Sequence, residues 1–468
     1  MISDHCPGGD GRDNRVNADF LRFLMLGGDE SAPVHAGGIH LRGAWIEHDL
    51  ELWGATIEVP VSLRHCRIKS IDLTQADIEF LNLAGSRVNE EFLAKSLNCK
   101  GSLVLIDGFE ARAGVLLYGA RIGGDLTCCF GRFERGFRNI PLDCERAAIA
   151  GSVYLSPGVN VKGSISFSRA MIDGDLECSG LRLDDVTSEL RCAGAHVQGA
   201  FVFRHVEVNG ARVDLSSMRA GTLDDDSASW AHAGEILLDD FIYDRFGGNA
   251  PVDAISRIAW LNMQPAAHLT SELRTQPWDQ LIITLRDQGH VYESRAIAIA
   301  RETRLRAAGR IAPALRPFHW LYGVVLRYGH QPSRLVTGTL AIWLLCGIAY
   351  WAAVNPQWFG GTTHLLAPAD SEPSAACLVA RAAARSGDPC PPAPPNYRTF
   401  SPLIYSANVL LPAVSLDETG GWQPVTERNG ETLFLGRLLS FIHGFETLFG
   451  WFLSLQLAGM LGNLIKRE

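Results

Sequence analysis

Val61-Ser-Leu-Arg-His-Cys-Arg-Ile68, Ile71-Asp-Leu-Thr-Gln-Ala-Asp-Ile78 and Leu81-Asn-Leu-Ala-Gly-Ser-Arg-Val88 share one pattern: apolar, any residue, Leu, two others, a small residue, any residue, then Ile or Val. An apolar residue therefore falls at every fifth position from Leu63 to Val88. Neither an amphipathic helix nor an alternating hairpin has that period. Upstream the pattern includes Ile39-His-Leu-Arg-Gly-Ala-Trp-Ile46 and Leu50-Glu-Leu-Trp-Gly-Ala-Thr-Ile57. Downstream it loosens, with glycine at the corners, into Gly114-Val-Leu-Leu-Tyr-Gly-Ala-Arg-Ile-Gly-Gly124, Gly163-Ser-Ile-Ser-Phe-Ser-Arg-Ala-Met-Ile-Asp-Gly174 and Gly199-Ala-Phe-Val-Phe-Arg-His-Val-Glu-Val-Asn-Gly210. A unit of about 10 to 11 residues with small corner residues predicts a parallel β-helix, whose coils stack on one continuous apolar core and are not stable singly.

The unit resembles the repeat of pentapeptide-repeat proteins, which place a small residue two positions before a central Leu or Phe; Ala76-Asp-Ile78 and Leu81-Asn-Leu83 approximate it. The resemblance implies a right-handed parallel β-helix over residues 37–248, after an N-terminal segment 1–36. Interruptions at 89–102 and 127–150 predict an irregular one. Such a rod has no evident cleft, and its alternating Asp, Arg and His residues read as a solvated surface. Asp224-Asp-Asp226 likewise reads as a solvated turn, since three consecutive carboxylates lack loop-ligand spacing for a metal.

Of the 11 cysteines, only Cys377 and Cys390 fall between the two long apolar runs described below. The other cysteines, adjacent Cys128 and Cys129 included, fit no Cys-x-x-Cys or Cys/His metal spacing and read as core filler. No cofactor or metal is expected.

With 468 residues and 47% apolar content the chain has room for two or three domains and cannot be wholly disordered. Its net charge of −9 and scattered Lys and Arg speak against a nucleic-acid partner. The start, Met1-Ile-Ser-Asp-His-Cys-Pro-Gly-Gly-Asp10, lacks a basic region followed by an apolar one, so residues 1–333 are expected in the cytoplasm. From Val252 the period becomes helical: Ala254, Ile258 and Leu261, then Leu281 and Leu285, then Ile297, Ala300 and Arg304. Gly289 and Gly309 are placed as C′ glycines, which predicts an α-helical hairpin linker within 249–333. With Trp260-Leu261, Gln276-Pro-Trp278 and Gly289-His290, this segment is similar to one in bacterial membrane proteins that carry a pentapeptide-like domain ahead of two C-terminal spans. Some of those are labelled oxidoreductases; here no Gly-x-Gly-x-x-Gly after a strand, redox cysteine pair, haem or flavin signature supports that label. His290 is the sharpest candidate base, and a capping His is the commoner role.

Leu335 to Val354 and Thr447 to Ile465 are uncharged apolar runs. As helices of about 20 residues, each is about 30 Å long, the thickness of a hydrocarbon core. Two transmembrane helices follow, 334–356 and 438–465. Arg301, Arg304, Arg306, Arg310, Arg316, Arg327 and Arg334 precede the first, and Lys466 and Arg467 follow the second, which predicts a multi-pass bacterial inner-membrane protein with both termini cytoplasmic. The extracytoplasmic loop 357–399 then sits in an oxidising compartment. Cys377 and Cys390 become a disulfide candidate there, adding ~3 kcal/mol.

Between the spans, Phe400-Ser-Pro-Leu-Ile-Tyr-Ser-Ala-Asn-Val-Leu-Leu-Pro412 is too short to cross a bilayer, and Ser401-Pro402 offers an N-cap with proline at the first helical position. A re-entrant helix and loop over 400–424 is expected. The order of span, short helix, acidic turn and span resembles the pore module of two-transmembrane tetrameric cation channels. By position, that resemblance makes Pro402–Leu411 the pore helix and Ala413, Val414, Ser415, Leu416, Asp417 and Glu418 the filter. The family's Thr-Val-Gly-Tyr-Gly run is absent, so a ring of Asp417 and Glu418 would favour cations in general rather than potassium. In the second span, Gly450, Ser454, Ala458 and Gly462 form a small-residue stripe for helix packing. His443 and Glu446, one turn apart, mark either a functional, water-exposed face or interfacial snorkelling.

The expectation is an oligomeric cation channel, a homotetramer conducting monovalent cations, with the β-helix as a cytoplasmic regulatory or assembly domain that also offers a surface to a protein partner. The alternative is a membrane-anchored β-helix scaffold without transport. An enzyme ranks third, since no nucleophile, metal or phosphate motif rises above chance.

Overall fold

The structure, a computed structural model, describes residues 14–29, 32–134, 136–327, 332–355, 366–368, 400–411, 422–428 and 431–465. They fall into two units, Met1–Trp320 and Leu321–Glu468.

The first unit is a parallel β-solenoid of about 9 turns followed by helices. Two sequence units make one turn: after Val61–Arg64, Arg67–Ile68, Ile71–Asp72 and Asp77–Ile78, the strand Leu81–Asn82 stacks in parallel register on Val61 and Ser62. Strand alternation turns both apolar positions of each unit inward. Leu63, Ile68, Leu73, Ile78, Leu83 and Val88 are buried, with Cys66, Ala76 and Ser86 between them. Cys99, Cys128, Cys144, Cys178 and Cys192 lie in the same core, and burial pushes the Cys99 thiol up to about 11. These cysteines are filler.

The predicted interruption at 89–102 leaves the coil intact. Phe92–Leu93 and Asn98–Cys99 pair in register with the turns on both sides, because the corner at Asn89–Glu91 absorbs the extra residue without moving an inward position. The break at 127–150 shrinks to one outward excursion around Phe137–Asn139, between Arg132–Glu134 and Leu142–Asp143. One corner is a column of left-handed residues: Gly54, Gln75, Ser96, Gly119, Arg146, Arg169 and Gly194 all have positive φ. At another corner the chain passes so close to itself that a Cβ on Gly174 would lie 2.3 Å from Ser152 Oγ and 2.8 Å from the Gly151 carbonyl oxygen. At this corner His196–Phe203 continues as one strand through Gly199, pairing with both Met171–Ile172 and Leu176–Glu177 and joining two faces into one sheet.

Both ends of the solenoid are covered. Arg15–Val16 pairs with Trp45–Ile46, and helix α1 (Ala18–Met25), capped by the Asn17 side chain, buries Ala18, Leu21 and Met25 in the core. At the other end stand α2 (Ser227–Ala231), α3 (Ala254–Leu261), α4 (Ala266–Leu269), α5 (Gln276–Asp287) and α6 (Val291–Ala307). Gly289 and Gly309 end α5 and α6 with positive φ, as their placement predicts. Along and just beyond α5, Gln276, Gln280 and Gln288 donate to the carbonyls of Phe241, Tyr243 and Phe246, and Gln288 accepts from the Phe246 N–H. Amide side chains four and then eight residues apart thus satisfy the open edge of the last strand.

Asp224-Asp-Asp226 is not a solvated turn. Asp225 is 0% exposed and takes both Arg257 guanidinium nitrogens, at 2.7 and 2.8 Å, and the Trp230 indole N–H at 2.6 Å. Asp226 caps α2 through Ser229 and accepts from the His205 N–H. The reason is long-range: α3 delivers Arg257 onto Asp225 as it closes the solenoid.

After α7 (Arg316–Leu326), the second unit contains α8 (Pro332–Val354), α9 (Pro402–Leu410) and α10 (Phe434–Ile465). Two stretches, Val336–Val354 and Phe434–Gln456, are helices long and apolar enough to cross a membrane.

Candidate functional site

In the second unit the usual sorting of side chains is reversed. Val336, Leu340, Leu344, Leu345, Ile348 and Trp351 on α8 are exposed, as are Phe441, Phe445, Leu448, Trp451 and Leu455 on α10. The groups turned inward include Tyr350, Tyr405, Ser406 and Glu446.

Glu446 is the centre of that interior. It lies roughly 18 Å along α10 from Phe434 at ~1.5 Å per residue. It is 0% exposed. The Tyr350 hydroxyl on α8 donates to its Oε2 at 2.7 Å, and Ser406 on α9 is hydrogen-bonded to its Oε1. Cys346, one turn before Tyr350, adds its thiol. Ser406 also reaches the Trp343 carbonyl at 3.1 Å, and the Trp343 indole N–H donates to the Leu403 carbonyl at 2.9 Å. One carboxyl thereby ties together all three helices.

Tyr405 forms a second layer. Its hydroxyl donates to the Trp422 carbonyl at 3.1 Å and stands 3.2 Å from His443 Nδ1. Phe400, before α9, packs against Trp422 with the rings tilted by 53° and their centroids 4.9 Å apart, and Leu366–Pro368 pairs antiparallel with Trp422–Pro424. At its other end α9 delivers Leu410 to a separate apolar group with Leu453, Phe449 and Trp343.

Of the residues singled out in the sequence, His443 and Glu446 meet at this site, with Glu446 turned into the helix group rather than snorkelling outward. Ala413, Val414, Ser415, Leu416, Asp417, Glu418, Cys377 and Cys390 lie outside the described residues. α9 occupies the predicted short helix to within a residue. His290 sits at the N-cap of α6, where its side chain makes no capping hydrogen bond. Among the described residues no three His, Cys, Asp or Glu side chains come together as a metal site. The sequence reading missed Trp343, Cys346, Tyr350, Tyr405 and Ser406. Their only local signal is polarity inside apolar runs, with Tyr405-Ser406 the clearest instance.

No protein-family model matches the chain, and no curated protein matches it.

Proposed function

We propose that the chain is a multi-pass protein of a bacterial inner membrane, with both termini cytoplasmic, in which α8 and α10 span the bilayer and α9 enters it from the outer side. Copies of this module assemble, as a homotetramer, around a pathway for monovalent cations, and the solenoid serves as the cytoplasmic regulatory or assembly domain.

Membrane insertion is supported by the reversed sorting: in hydrocarbon an exposed Leu448 costs nothing and an exposed Glu446 a great deal. The re-entrant course is carried by one observation. Phe400 and Trp422, on either side of α9 in the chain, are in contact, while Leu410 at the far end of α9 packs with Phe449 and Leu453. α9 therefore leads away from the Phe400–Trp422 contact, and the chain is beside Phe400 again at Trp422. Ala413 to Glu418 fall between Leu410 and Trp422 in the sequence. Backbone at membrane depth outside a helix is tolerated where it lines a cavity or is buried in protein, which favours a pathway formed between copies.

The test is planar-bilayer recording of the purified protein beside Asp417→Asn and Glu418→Gln, with stoichiometry measured in detergent. A tetramer whose cation current falls in both variants supports the proposal. A stable monomer, or a current indifferent to both changes, defeats it. The second reading is an anchored scaffold whose solenoid binds a protein partner. It is favoured by the way Tyr350, Ser406 and Glu446 satisfy one another within a single chain.

A further inference from the structure

The hydrogen bonds around Glu446 can be counted proton by proton. A serine hydroxyl carries one proton and can accept as well as donate. Ser406 Oγ faces two acceptors, the Trp343 carbonyl and Glu446 Oε1. If Glu446 is ionised, only one of those contacts holds a proton. The other sets two oxygens against each other in a buried site. A proton on Oε1 completes the set: Glu446 donates to Ser406, Ser406 donates to Trp343, and Tyr350 donates to Oε2.

The surroundings agree. The polar groups facing Glu446 are Cys346 and Tyr350 from α8 and Ser406 from α9, with Tyr405 of α9 close by, all neutral, and no cation among the described residues lies against it. His443, one turn earlier on α10, has its Nδ1 turned to the Tyr405 hydroxyl. A buried carboxylate without a paired cation is strongly disfavoured, more so inside a bilayer.

We propose that Glu446 is a proton-binding site: the protonated acid latches α9 to both α8 and α10, and release of the proton loosens the α8 arm of that latch. On release Ser406 turns its only proton from Trp343 to the new carboxylate, so the bond from α9 to α8 through Ser406 is given up. Because α9 leads directly into the segment assigned to the pathway, the ligand that sets the state of the module is H⁺. The inference rests on the proposed membrane insertion for its energetics, but its test does not depend on conduction.

The measurement is infrared difference spectroscopy of the full chain in lipid nanodiscs, wild type minus Glu446→Gln, at neutral pH in H2O and D2O. The expected result is a carboxylic-acid carbonyl band that shifts in D2O and is absent from the variant; a difference spectrum with carboxylate bands alone overturns the proposal. Should Glu446→Gln not fold, Tyr350→Phe serves instead. Removing the donor to Oε2 moves an acid carbonyl band to higher frequency, whereas an ionised Glu446 leaves that region unchanged and overturns the inference. Hydrogen exchange over Pro402–Leu410 is expected to accelerate across the pH interval in which the acid band disappears, and to lose that step in Glu446→Gln. Exchange indifferent to the band defeats the latch. A protein that carries no current yet shows the band loses the channel reading alone. One that conducts with only carboxylate bands loses the proton site alone.

Discussion

Asp225 and Glu446 are both fully buried carboxyls, and their settings are opposite. Asp225, at the end of a solenoid whose interior is Leu, Ile, Val and Phe, is matched by the guanidinium of Arg257, itself stacked 4.0 Å above the Phe246 ring. Among the described residues Glu446 has hydroxyls and a thiol as its hydrogen-bond partners and no cation, inside a helix group whose outside is apolar. The solenoid obeys the rule of a water-soluble core and admits one charge by pairing it. The helical unit hides its polar groups from an apolar exterior. Leu190 and Leu448 show the same contrast for one residue type: the first is 0% exposed in the solenoid, the second 73% exposed on α10.

The contrast can be broken most sharply at Arg257. Arg257→Ala leaves Asp225 buried without its cation and is expected to cost ~3–5 kcal/mol, read as a lower urea midpoint for loss of the solenoid's circular dichroism. An apolar pair, Asp225→Leu with Arg257→Met, should recover most of that loss. A smaller midpoint shift for the single variant than for the pair would mean the joint is not closed by the ion pair.

A charge on the outward face separates the two units directly. Leu448→Lys is expected to disfavour membrane insertion by about 2.5–3.5 kcal/mol, measured as the inserted fraction in a glycosylation-mapping assay. The matching change on the solenoid, Val186→Lys at an exposed site, should stay within ±0.5 kcal/mol or so in the same urea titration. Equal, negligible effects at both positions would remove the bilayer from the account.

Within the solenoid, Gly174→Ala should destabilise by ~1–3 kcal/mol, because its Cβ meets the backbone of the turn below. Arg169→Gly, at φ 56, should stabilise by up to ~1 kcal/mol. The smallest effect is linked to pH. Burial works against the charge of Asp226, but the N–H groups of Ser229 and His205 outweigh it and hold the carboxyl below the usual carboxylate range. A depressed carboxyl stabilises the fold above its unfolded value, ~3.9, and the contribution fades as pH falls below that through the folded value. Asp226→Asn should flatten that acid limb of the stability profile. An unchanged limb would show that the cap carries no charge-dependent share.

The fivefold apolar spacing from Leu63 to Val88 was enough to read the solenoid, because each short strand decides its inward residues locally and the neighbouring turn repeats the decision. The helix ends at Gly289 and Gly309 and the start of α9 at Pro402 were legible for the same reason: caps and breakers act within a few residues. The meaning of Asp224-Asp-Asp226 was not. Three adjacent carboxylates look solvated until Arg257 arrives from another element. Nor could the fused strand His196–Phe203 be read, since its continuity through the corner depends on two strands in the turn beneath.

The sequence alone determined the order of solenoid, helical hairpin and two apolar helices with a short helix between, because period, breakers and run length are local properties. Only the tertiary structure decided which polar residues meet. Tyr350, Ser406 and Glu446 are separated by long stretches of chain, and nothing but the packing of α8, α9 and α10 turns three isolated polar side chains into one hydrogen-bonded site.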